Sequence, residues 1–204
     1  MKNAAFAFVI LISALWSVVA CGGQETTFAL YVRAAETQFQ ELDLHDKLYN
    51  HLLRYPVLDL AVPGEVDSVF SENPEFVGRH FRPERMTNAA SMLGSRYLVW
   101  ISIEEAGIKE SEHTIIPYLF KSHHRHCVLG VRMFVVDSHT QETVATQFYE
   151  SKKKLADAMS SLDFDSNDPG LFKKYSIVKG KFDELEAEIS EKIIGELLTF
   201  SDKR

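Results

Sequence analysis

The sequence is short of the features that would place it in a specialised class. Two cysteines in 204 residues cannot build a disulfide scaffold. Six prolines and ten glycines without periodic placement exclude collagen-like and low-complexity chains. Basic residues are the minority, 22 Lys plus Arg against 29 Asp plus Glu, for a formal charge of −7. Nucleic-acid binding draws on Lys and Arg neutralising phosphates, so no nucleic-acid partner is expected. Beyond residue 20, no apolar run approaches the roughly 20 residues of a spanning helix. A Walker A loop, a dinucleotide fingerprint, a Gly-x-Ser-x-Gly elbow and a His-Glu-x-x-His motif are all missing, so neither an enzyme nor a cofactor is expected. What is present, 46% hydrophobic and 25% charged residues, is the composition of an ordinary globular domain with a core of its own.

The first 20 residues are the exception. Lys2 supplies a positive start, and Ala4 to Val19 is apolar except for Ser13 and Ser17, the pattern of a signal sequence. It ends Val18-Val19-Ala20-Cys21-Gly22, which resembles the lipobox of bacterial lipoproteins. The resemblance implies a signal peptide over 1–20, a diacylglycerol thioether and an acylated amine (palmitate or a similar chain) on Cys21, and a tether over 21–26. Gly22 stands where Asp favours retention at the inner membrane, so the resemblance implies the periplasmic face of the outer membrane. A conventional cleaved secretory signal and an uncleaved anchor are the alternatives. Loss of residues 1–20 removes Lys2, leaving 21 basic and 29 acidic groups and a charge of −8. Anionic headgroups would repel that surface, so attachment would come from the lipid and not from a polybasic patch.

The mature chain reads as one α/β (α+β) domain over 27–200, a mixed sheet of about five strands flanked by helices. Period-2 character predicts a strand at Thr27–Arg33, a nearly all-apolar run predicts one buried on both faces at Arg96–Ile103, and further strands are predicted at Val57–Val62, Cys127–Val136 and Thr143–Tyr149. Helices are predicted over Ala34–Arg54 with Phe39, Leu42, Tyr49 and Leu53 inward, over Glu65–Phe70, and from an N-cap at Thr87 to Gly94. A last helix, Lys181–Leu198, carries Phe182, Leu185, Ile189, Ile193 and Leu197 on one face and must dock on the sheet. Residues 73–85 are expected as a loop, and 104–126 and 151–176 as excursions from the domain.

Within this order, Ala89-Ala90-Ser91-Met92-Leu93-Gly94-Ser95 followed by Arg96-Tyr97-Leu98-Val99-Trp100 is similar to a helix-to-strand passage of bacterial envelope proteins with the TolB N-terminal-like fold. That group includes the curli secretion lipoprotein CsgG and the penicillin-binding-protein activator LpoB. Val131 to Asp137 and Thr140 to Val144 resemble its strand–turn–strand, with Gln141 where Gly is frequent. The resemblance implies a non-enzymatic module that binds or assembles envelope proteins, a second copy of itself included. It also raises a secretion-pore subunit like CsgG, which would need two added hairpins of alternating strands.

The sharpest chemical signal is the cluster His113, His123, His124, His126 and Cys127. Imidazole and thiolate are ligands for zinc or copper, and His124 and His126 at i, i+2 on a strand share a face. This raises a metal-binding lipoprotein using His113, His124, His126 and Cys127, with His80 as another loop donor, although the spacing matches no compact zinc signature. Cys127, unpaired if Cys21 is lipidated, is either a buried small apolar residue or an intermolecular link. Glu104-Glu105 and the stretch with Asp163, Asp165 and Asp168 read as solvated charge, and the latter lacks the glutamate that closes a calcium loop. The apolar segment Ile115 to Phe120 is expected to cover the sheet, with an exposed contact patch as the alternative.

Overall fold

A computed structural model describes residues 27–34, 37, 41–56, 58–77, 81–116, 120–161 and 173–201. The order is β1 (Thr27–Ala34), α1 (Leu44–Leu52), β2 (Asp59–Leu60), α2 (Pro63–Glu72), a 3-10 turn (Pro74–Val77), α3 (Pro83–Met92), β3 (Tyr97–Ile116), β4 (Phe120–Asp137), β5 (Glu142–Ser161) and α4 (Tyr175–Ser201). The five strands form one mixed sheet, β2-β1-β3-β4-β5. β1 runs parallel to β2 and β3, and β3, β4 and β5 are antiparallel neighbours.

The sheet is unequal in length. β1 accompanies β3 only from Phe28 opposite Tyr97 to Ala34 opposite Ile103. Past that point β3, β4 and β5 continue alone as a three-stranded arm. Glu104 is an extra residue in β3, and Val144 and Leu155 are extra residues in β5, so the ladder is bulged where the arm begins and along its outer strand.

Each face of the sheet has its own core. The inner face carries Val99, Ile101, Ile103, Cys127, Leu129, Val131, Met133 and Val135, under α1 and α4. In α4, Phe182, Leu185, Ile189, Ile193 and Leu197 are all buried, and in α1 the stripe is Leu44, Leu48 and Leu52. Among the described residues, helices cover the outer face near its start. There Ala29, Leu98, Trp100 and Val136 pack under Val66 and Phe70 of α2, Phe76 of the 3-10 turn, and Met86, Ala89 and Ala90 of α3. Tyr31 stacks on Phe70 with centroids 3.7 Å apart, and Phe81 on Phe134 at 3.9 Å.

Several boundaries differ from the sequence expectations. Residues 104–116, 120–126 and 151–161, expected to leave the domain, extend β3, β4 and β5. Their inward residues become charged past Cys127, which weakens the apolar alternation while the ladder continues. The first helix begins at Leu44, and its buried stripe excludes Leu53, which is 56% exposed at the C-cap. α3 starts at Pro83, a residue suited to the first helical position. Thr87 therefore lies inside the helix, its hydroxyl donating to the Pro83 carbonyl at 2.9 Å. Gly94 closes that helix at φ 62°, as expected of a residue past a helix end. The strand expected over Val57–Val62 shrinks to Asp59–Leu60. Asp163, Asp165, Asp168, His80 and the segment 1–26 lie outside the described residues.

Two polar contacts fasten α4. Lys47 of α1 donates to Asp183 at 2.7 Å and to Glu186, whose side chain is 1% exposed. Burial pushes the Glu186 carboxyl above its usual range, and Lys47 opposes that shift. On the sheet side, hydrogen bonds from Ser151, Lys192 and Lys153 hold Glu188 down to about 2.

Two predictions follow from this docking. Lys47→Met strands the buried carboxylate and should lower unfolding stability by about 3 kcal/mol, the low end for breaking a buried pair because Lys47 is part-exposed. Adding Glu186→Leu should recover most of the loss, both read from urea midpoints. Glu188 ionises more readily folded than unfolded, so its contribution is present above pH 4.5 and is lost as the pH falls toward about 2. Glu188→Gln should therefore destabilise the protein near neutrality and converge on the parent through that window.

Candidate functional site: the open face of the arm

No helix among the described residues covers the outer face of the arm, so β3, β4 and β5 present one flat polar surface there. The alternation that buries Cys127 and Leu129 inward sets Arg132, Gly130, Val128, His126, His124 and Ser122 on the outer side of β4, where Val128 is fully buried beneath its neighbours' side chains. Near the body, Arg132 donates two hydrogen bonds to Glu104, Nε to Oε1 at 2.5 Å and Nη2 to Oε2 at 3.1 Å. The same guanidinium lies 5.2 Å from the ring centre of Phe148, which is 47% exposed. Gly130 makes room for that ring, since a Cβ there would sit 3.3 Å from Phe148 Cζ. Farther out, Lys109 pairs with Glu105 at 2.7 Å and Lys152 with Glu150 at 2.7 Å.

Beyond these pairs the face turns to imidazole. His113 of β3 and His124 of β4 have ring centres 5.6 Å apart, and His124 and His126 are 6.3 Å apart. Both nitrogens of His124 are engaged: Nδ1 lies 2.9 Å from Asp157 Oδ1, and Nε2 lies 2.8 Å from Ser122 Oγ. His124 and Lys154 hold the Asp157 carboxyl below its ordinary range, so it accepts the Nδ1 proton as a carboxylate. His123 faces the other way, 3.8 Å from Glu112, beside Arg125, which pairs with Glu110 at 2.7 Å.

The order Ser122, His124, Asp157 repeats the hydrogen bonds of a serine–histidine–aspartate relay. The surroundings do not support acyl transfer. β4 is paired on both sides, so its backbone N–H groups near Ser122 are spent in the ladders and cannot form an oxyanion hole. Ser122 is itself 9% exposed.

The predicted metal ligands are therefore only partly brought together. His113, His124 and His126 share the open face, while Cys127 is fully buried in the inner core, where burial pushes its thiol up. That position fits a small apolar residue and leaves no sulfur for an intermolecular link. Among the described residues, no three His, Cys, Asp or Glu side chains converge on one ion position. Asp157, which reaches His124 from β5, was missed because cross-strand register is not written in local sequence; Ser122, two residues before His124 on β4, was missed because the sequence of 104–126 reads as an excursion and not as strand.

No helix among the described residues is long and apolar enough to cross a membrane. No family model matches the chain. No curated protein matches it either. Solved structures similar to it include lipoprotein GNA1162 from Neisseria meningitidis, at 10% identity and a TM-score of 0.43, covering 81% of this chain and 99% of that one. The C-terminal domain of LpoB from Salmonella enterica has 10% identity and a TM-score of 0.41, covering 67% and 91%. A minor lipoprotein from Acinetobacter baumannii has 8% identity and a TM-score of 0.36, covering 85% and 93%. Likeness at this level transfers no activity, and the architecture rests on the strand pairing described above.

Proposed function

We propose that this chain is a lipid-anchored protein of the bacterial cell envelope, a non-enzymatic module that holds a protein-binding arm away from the membrane carrying it. The observation that carries this reading is the polarity of the sheet. Thr27, the first residue after the tether, starts a strand parallel to β3, so the chain enters at the end where β3 begins. The arm points the opposite way. A strand of 20 residues such as β3 spans about 65 Å, and six residues of tether add at most about 20 Å. An acylated Cys21 would then fix one end, at the periplasmic face of the outer membrane. The open face, with Arg132, Phe148 and alternating Lys and Glu, would stand well clear of the headgroups. Exposed arginine and aromatic side chains on a polar face suit a protein partner.

The pore-subunit reading gains nothing from the arm. Its strands form one sheet continuous with the core, and its outward face carries Glu104, Lys109, Glu150 and Lys152 where a lipid-facing band would be apolar.

The proposal has two separable tests. Metabolic labelling with a fatty acid should mark the wild-type chain and leave Cys21→Ser unmarked; a labelled variant would overturn the anchor. A photocrosslinking residue at Lys109 or Lys152 should capture an envelope protein, and Arg132→Gln should weaken that capture, with a cooperative thermal transition showing that the variant is folded. Capture equally efficient from a crosslinker on α2 would sink the arm as the docking surface.

A further inference from the structure

We infer that a hollow at the end of the sheet where β1 and β3 begin is a binding site for a phosphate ester, with Ser95, Arg96 and His139 as its donors. The site lies apart from the arm and does not depend on the envelope reading above.

The hollow encloses about 370 Å³ between the end of α3, the starts of β1 and β3, and the turn from β4 to β5, a volume within the range of small-ligand sites. Its lining is Gly94, four hydroxyl side chains, Arg96 and His139, with no carboxylate and no large apolar side chain. In a chain with 29 acidic against 22 basic residues, that composition sets the place apart. Its walls are tied together. Ser138 donates from its backbone N–H to the Arg96 carbonyl at 2.8 Å and from its hydroxyl to the Ser95 carbonyl at 2.9 Å.

Three unused donors carry the inference. Ser95 is 2% exposed, yet its hydroxyl has no hydrogen-bond partner. A buried donor left in that state costs stability, and a ligand oxygen would remove the cost. Arg96 is held by Nε against Asp137 Oδ2 at 3.4 Å, with Cζ 5.0 Å from the centre of the Tyr97 ring. Those contacts fix the guanidinium and leave its Nη atoms without hydrogen bonds among the described residues. The ring nitrogens of His139 are unengaged as well; only its backbone N–H is used, donating to Asp137 Oδ1 at 2.8 Å.

The carboxylates beside the lining are already occupied, Asp137 by Arg96 and the N–H groups of the turn, and Asp59 by the Thr27 hydroxyl. The three donors come from a helix end, a strand start and a turn. Their separation suits the spread oxygens of a phosphate better than the two coplanar oxygens of a carboxylate, and a guanidinium pairs with phosphate through parallel N–H groups. Hydroxyl oxygens of Ser91 and Ser138 remain as acceptors for a hydroxyl or ammonium group on the ester. Such esters occur free in solution and as lipid headgroups.

The test is titration of the full chain in uncharged detergent with glycerol 3-phosphate, and separately with phosphatidylglycerol carried in the micelles, read by calorimetry and by the His139 ring signals in NMR. One saturable site per chain is expected, with no response to glycerol alone. Binding of the soluble ester assigns a free ligand, and binding confined to the micelle-borne lipid assigns a headgroup. Arg96→Gln should weaken binding about tenfold, the scale of one charge-assisted hydrogen bond, and His139→Ala by less. Ser95→Ala should weaken binding while its thermal midpoint holds or rises, whereas loss of a merely structural hydroxyl would lower the midpoint. His45→Ala/His51→Ala should change nothing. Absence of saturable binding by the parent, equal binding of glycerol, or undiminished binding in Ser95→Ala and in folded Arg96→Gln overturns the inference; if Arg96→Gln does not fold, Ser95→Ala decides alone.

Discussion

The stripe Phe182, Leu185, Ile189, Ile193 and Leu197 on α4 closes the inner face of β3, β4 and β5, and the length of that helix sets where the protein can be apolar. A helix of 27 residues reaches about 40 Å, whereas strands of 18 to 20 residues reach about 60 Å. The sheet outruns its cover. Cys127 sits at the limit, near Lys181 of α4, and beyond it the inward positions are Arg125 and His123, paired with Glu110 and Glu112. The switch from packed side chains to ion pairs marks the point at which the helix stops excluding water.

The outer face obeys the same rule with a shorter cover. α2, the 3-10 turn and α3 shelter Leu98, Trp100 and Val136, and past Phe134 that apolar cluster ends. The body of the domain is thus a three-layer structure and the arm is a single sheet with one bare side. Across strands the bare side is joined by Arg132 with Glu104 and by His124 with Asp157, while Lys109 with Glu105, Lys152 with Glu150 and Lys154 with Asp157 pair within one strand. Each exposed pair contributes little alone.

Much of this was legible in the sequence, and the reason differs by element. α4 and the α3–Gly94–β3 passage were plain, because a five-residue apolar stripe and a glycine past a helix end are local signals. So was the turn from Asp137 to Glu142, even with Gln141 taking the positive φ of 60°. The arm was not. Its segments 104–116, 120–126 and 151–161 mix charged, small and polar residues without a clean apolar alternation, and only pairing to the neighbouring strand shows that they are sheet. α1 was placed too early because Phe39 and Leu42 mimic its stripe, while Leu44, Leu48 and Leu52 are the residues that meet α4. For the candidate site, the shared face of His124 and His126 followed from strand periodicity. The arrival of His113 and Asp157 required the register.

β5 is the last strand of the sheet, and 20 residues is a long edge to leave beside other copies. An open ladder of that length is a template for runaway stacking of copies. The bulges at Val144 and Leu155 break the spacing that a docking strand would have to match. Lys152, Lys153 and Lys154 follow one another on the same strand, each paired with a carboxylate, Glu150, Glu188 and Asp157. The bulged border thus acts as a fence, leaving neighbours free to meet through side chains on the bare face and hindering them from fusing backbone to backbone.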